Sequence, residues 1–129
     1  MPEDDELSQY DPDQDPPSDE WLDLDEQGRM ILVEDYHRRH PVRMPSVEGH
    51  AAIHTIVENQ LVLEEPVVVA TFARLRREGL DRHDAVHAIG SVLASHMHAL
   101  LAGDQSEKEP NARYYEALGK LSASEWRAS

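Results

Sequence analysis

The chain has 129 residues, enough for one domain, with a net charge of −14 and no cysteine. Lack of thiols excludes disulfides and thiolate metal sites, leaving histidine and carboxylate as the strong ligand types. The acidity argues against nucleic acid or an anionic membrane surface as a partner, since both would repel it.

No stretch approaches the roughly 18 apolar residues of a membrane span. The N-terminus also lacks the basic and apolar regions of a signal peptide. A cytoplasmic protein is the expectation.

The charge is concentrated at one end. Residues 1–28 hold twelve acidic residues and no Lys or Arg, so the rest of the chain is near neutral. Residues 1–19, MPEDDELSQYDPDQDPPSD, are acidic, rich in proline and poor in apolar side chains. Such a segment buries too little surface to offset the entropy of ordering, which predicts a disordered acidic tail over 1–19 and a single helical domain over 20–129. The tail either serves solubility or, around Tyr10, docks on a basic protein partner.

A first helix is expected from Asp19 or Asp23, using Trp21, Leu22, Met30, Ile31, Val33 and Tyr36, and ending near His40 because Pro41 disfavours a helical residue before it. Residues 41–46 read as a linker, with Ser46 as the cap of a second helix that runs to about Leu63. At 100° per residue, His50 falls near the middle of that helix's apolar face, with His54 and Glu58 toward one edge. Pro66 suits the first turn of a third helix that stops at Gly79.

Asp81 is placed to cap a fourth helix, whose stripe is Val86, Ile89, Val92, Leu93, Met97 and Leu100. His83, His87 and His98 flank the stripe, and Gly90 permits close approach of another helix. After a polar loop from Gly103 to Pro110, Asn111 heads a last helix, and Ser122 onward forms a final turn or short helix around Trp126. The run VVVA has strand composition, but its proline start and amphipathic continuation favour helix. The fold expected is all-α, a small antiparallel bundle of about five helices.

The chemistry-bearing pattern is histidine at helical spacing: His50, His54 and Glu58 in HAAIHTIVE, and His83 and His87 in HDAVH. Residues four apart share one helix face, so each set is able to grip an ion. Imidazole and carboxylate are ligands for zinc, iron or manganese. With eight histidines in the chain, chance gives roughly half a pair at this spacing, so two pairs are a modest excess.

If the second and fourth helices are neighbours, His50, His54, Glu58, His83 and His87 face one cleft and form a metal site. In a hydrolytic version, the metal lowers the pKa of bound water and Glu58 acts as base instead of ligand. The competing reading is a polar seam, in which the histidines hydrogen-bond carbonyls, Asp81 or Asp84, or are simply solvated.

Glu34 and His37 form one Glu-x-x-His unit where a di-iron bundle needs two such units and two further glutamates, which argues against a ferritin-like centre. His96 reads as helix surface or packing and His40 as loop. Ser91 follows His87 by one turn without a nucleophile elbow or triad. Asn59 and Gln60 are read chiefly as helix-end residues and secondarily as groups that orient ligands. No organic cofactor is indicated. A non-catalytic protein–protein interaction module with an acidic docking tail is the rival function.

Four segments together carry a resemblance: H-x3-H-x3-E-N-Q from His50 to Gln60, the proline-led helix from Pro66 to Gly79, DRHDAVH from Asp81 to His87, and YYEALGKL from Tyr114 to Leu121. Over about residues 20–127 the chain resembles a bacterial family of uncharacterised helical proteins, classed as a domain of unknown function. The resemblance implies a small bacterial helical protein and brings no activity, cofactor or catalytic residue with it.

Overall fold

The computed structural model describes residues 7, 9–39, 47–103 and 111–128, with only the backbone at Val47. The tail residues 1–6 and 8, His40, the linker with Ser46, and loop residues 104–110 lie outside the described residues. Every regular element among the described residues is an α-helix: α1 (Ser18–Asp23), α2 (Glu26–Arg39), α3 (Val47–Val62), α4 (Pro66–Arg77), α5 (Arg82–Leu101), α6 (Ala112–Lys120) and α7 (Ala123–Ala128).

Among the described residues seven helices stand where about five were expected, for two local reasons. The anticipated first helix is broken because Leu24 is extended, with ψ 146°. Asp25, not Asp19 or Asp23, then starts α2, its Oδ1 accepting from the Gly28 N–H at 2.7 Å. At the other end, the Ser122 side chain caps the start of α7. The Glu125 N–H donates to Ser122 Oγ at 3.1 Å, and that hydroxyl donates to Glu125 Oε1 at 3.3 Å.

Other punctuation follows the sequence. Pro66 opens α4, and Gly79, at φ 105°, closes it with the Leu80 N–H on the Leu75 carbonyl at 3.1 Å. Asp81 caps α5 by accepting from the Asp84 N–H at 2.8 Å. The Asn111 side chain makes no cap hydrogen bond to α6.

The larger core packs around α5, where Val86, Ile89 and Leu93 meet Val57 of α3, Val68 and Leu75 of α4, and Tyr114 and Leu118 of α6. A smaller core joins Tyr10, Trp21, Val33 and Ala51. Gly90 of α5 lies against α3, and a Cβ there would stand 3.0 Å from Ile53 Cγ2. The missing side chain thus sets how closely α3 and α5 approach.

The tail expected to be disordered is held against the helices over residues 9–17. Tyr10 is 3% exposed and Pro12 is buried. Composition undercounts this segment because one tyrosine and two charge-assisted anchors do the holding. The Tyr10 ring meets Trp21 and Tyr36, each at 6.0 Å between centroids, and Arg82 donates to the carbonyl of Pro12 and to the carboxylate of Asp15.

Candidate metal centre

The packing of α2 and α5 on either side of α3 brings five imidazoles to one place. α2 supplies His37 from its last turn, α3 supplies His50 and His54, and α5 supplies His83 and His87 from its first turns. Ring centroids lie 4.5 Å apart for His37–His50, 4.9 Å for His37–His54, 4.6 Å for His54–His87 and 4.3 Å for His83–His87.

Four of these residues, His37, His54, His83 and His87, offer ligand nitrogens that all lie within 4.8 Å of one another. These four histidines are close enough together to hold a metal ion. A zinc–nitrogen bond of about 2.0–2.1 Å would set tetrahedral nitrogens about 3.4 Å apart, so the group would contract on an ion of that size.

The polarity of the rings favours ligation. His37 Nδ1 lies 2.8 Å from the Val33 carbonyl, which only accepts, so Nδ1 carries the proton and Nε2 keeps its lone pair. The Nε2 atoms of His54 and His83 are buried with no hydrogen-bond partner among the described residues. Leaving such an atom unsatisfied costs about 1–3 kcal/mol, which an ion would recover. Burial, followed by the charges of neighbouring histidines, lowers His50 to about 4, His87 to about 3, and His54 far below its ordinary range. These rings are therefore neutral at pH 7, as metal ligands must be.

Of the residues singled out by spacing, His54, His83 and His87 enter the four-membered group. His50 stands beside it, its Nε2 3.1 Å from that of His87. Glu58 does not join. Its carboxylate is 0% exposed and receives Arg82 Nη1 on Oε2 at 2.8 Å and Arg82 Nη2 on Oε1 at 2.7 Å. The Tyr10 hydroxyl also donates to Oε2.

Burial opposes Arg82's charge, but its hydrogen bonds and attraction to Glu58 outweigh that and hold it firmly protonated. Tyr10 is held protonated by burial first and then by the Glu58 charge. As the hydroxyl proton goes to Glu58, the Tyr10 oxygen is left to accept from His54 Nδ1, 3.4 Å away. Glu58 thus reaches the histidines through Tyr10.

The α3 edge containing His54 and Glu58 is more deeply buried than the helical wheel implies, at 1% and 0% exposure, because Tyr10 and Arg82 close over it. Asn59 and Gln60 orient no histidine. Asn59 Oδ1 accepts from Trp21 Nε1 at 2.8 Å and Arg29 Nη1 at 3.1 Å, while Gln60 Oε1 accepts from the Tyr114 hydroxyl at 2.8 Å. His96 packs on Tyr114, with centroids 5.8 Å apart, and His98 is exposed. Ser91 Oγ donates to the Ala88 carbonyl at 2.7 Å.

Sequence reasoning missed His37 as a member of the four-histidine group and Tyr10 as a buried residue. The signal for His37 is in Glu34-x-x-His37, which by itself points to a di-iron motif rather than to the histidines of α3 and α5. Among the described residues no helix is long and apolar enough to cross a membrane. No family model, curated protein or solved structure matches the chain.

Proposed function

We propose that this protein binds a first-row transition-metal ion through His37, His54, His83 and His87, with His50 adjoining as a further donor. The observation that carries the reading is the convergence of four ligand nitrogens, from three different helices, within 4.8 Å. Two supports are independent of it: the unpartnered Nε2 atoms of His54 and His83, and the His37 proton directed to the Val33 carbonyl. An all-imidazole donor set favours zinc or iron over the oxygen-preferring calcium and magnesium, and manganese is the weaker match. In this reading Glu58, engaged by Arg82 and Tyr10, stands behind His54 as a support and the histidines take the place of the ligand that its spacing suggested.

The test is elemental analysis of tag-free protein, followed by zinc titration of chelator-stripped protein. The expected result is about one equivalent of zinc or iron, lost in the His54→Ala variant. Protein that stays helical, carries no metal and takes up none would overturn the proposal.

A further inference from the structure

We infer that residues 9–17 form a latch whose docking and metal binding reinforce each other through the Tyr10 hydroxyl. The inference rests on the metal-binding reading and adds to it a regulatory coupling within the chain.

The segment has no helix or strand of its own. Asp11 bends it locally, its Oδ1 accepting from the Asp13 N–H at 3.0 Å and its carbonyl from the Gln14 N–H at 3.1 Å. The bend lets Tyr10 enter beside His54 while Asp15 reaches Arg82. Apart from the buried Pro12 and the Trp21 N–H on the Pro17 carbonyl at 2.8 Å where the segment enters α1, the attachments among the described residues are made by side chains: the Tyr10 side chain, and the bonds from Arg82 to the Pro12 carbonyl and Asp15 Oδ1, both 2.8 Å. Asp15 itself is 85% exposed. A segment held by a few side-chain anchors opens more readily than a helix that shares a backbone ladder.

The coupling follows from where one proton sits. Glu58 is paired with Arg82 and accepts the Tyr10 hydroxyl proton, so the Tyr10 oxygen presents only lone pairs to His54 Nδ1. That arrangement selects the tautomer with hydrogen on Nδ1 and a bare Nε2. Nε2 is the buried atom of His54 without a hydrogen-bond partner among the described residues. When the latch is undocked, Nδ1 loses this acceptor and the other tautomer, with hydrogen on Nε2, competes. An ion on Nε2 also polarises the ring and makes Nδ1–H a stronger donor to Tyr10. Docking therefore favours the metal-binding tautomer and metal favours docking, and linkage requires the two effects to be equal.

The experiment uses the full chain and zinc. Zinc affinity is measured against a competing chelator for wild type and Tyr10→Phe. Amide hydrogen exchange over residues 9–17 is followed with and without zinc, and far-UV circular dichroism confirms the helices.

The expected results are zinc binding roughly 10–100-fold weaker in Tyr10→Phe, and zinc-dependent slowing of exchange in wild type that is reduced in the variant. Equal zinc affinities, with exchange over 9–17 unchanged by zinc, would overturn the latch while leaving the metal site standing. Failure of wild type to bind zinc or iron would remove both. If Tyr10→Phe does not fold, Asp15→Ala removes an exposed anchor away from the histidines, and the same two readouts decide.

Discussion

The Arg82 guanidinium meets the Glu58 carboxylate through two parallel hydrogen bonds of 2.8 and 2.7 Å, with Arg82 only 5% exposed and Glu58 fully buried. The pair joins the first turn of α5 to the C-terminal half of α3 and also anchors the N-terminal segment. Its partners are so well matched that removing one does more harm than removing both.

Replacing Arg82 alone by Met leaves a buried carboxylate without its cation and should cost about 3–5 kcal/mol. Urea denaturation followed by circular dichroism measures it. The double variant Arg82→Met/Glu58→Leu should recover much of that loss, though not all, because the Tyr10 hydroxyl loses its acceptor. Additive losses from the two single variants would contradict the account.

Substituting His37, His54, His83 or His87 singly by Ala should weaken zinc binding at least about tenfold, equivalent to about 1.4 kcal/mol. His98→Ala, on an exposed face of α5, should leave affinity unchanged. The informative variant is His37→Ala, since the HxxxH spacing does not include it. Wild-type affinity there would exclude α2 from the site.

Stability of the metal-free protein should fall as pH falls below neutrality. The folded-state values of His50 and His87, about 4 and about 3, lie below the ordinary value of 6.5. The unfolded chain therefore takes up protons first. The contribution is fully present above about pH 6.5 and is lost progressively toward pH 4 and below. Urea midpoints between pH 7.5 and 4.5 read this directly, and a flat profile would mean that the rings are solvated.

Asn59→Ala should destabilise the protein by about 1–3 kcal/mol and shift its tryptophan emission, because Trp21 Nε1 loses its buried acceptor and Arg29 loses one contact. Zinc affinity should stay at the wild-type value, since Asn59 touches no histidine. A parallel loss of zinc binding would mean that the α1–α2–α3 junction sets the site's geometry.

Much of the helical architecture was legible because its signals are local. Pro66, Gly79 and Asp81 mark their boundaries through backbone chemistry that needs no distant partner. The division of α1 from α2 was obscured because Asp19, Asp23 and Asp25 are all plausible caps, and the extended backbone at Leu24 selects the third.

In the site, the spacing of His54, His83 and His87 was readable because helix periodicity places them. His37 was not assigned to the same group because its membership depends on how α2 packs against α3. Glu58 looked like a ligand because its spacing is right. Its actual partners, Arg82 and Tyr10, lie 24 and 48 positions away in sequence, and no periodicity connects them. Tyr10 was hidden by the composition around it, which describes a segment on average while a single side chain determines where it rests.

Gly90 carries no chemistry, yet it governs the reach of the groups that do. The helix it allows α5 to press against, α3, bears His50 and His54, while α5 bears His83 and His87. On the proposed metal-binding reading, the gap closed by the absent methyl group is the span across which an ion would be grasped. Widening that span would leave every donor present and change only how far apart the donors stand.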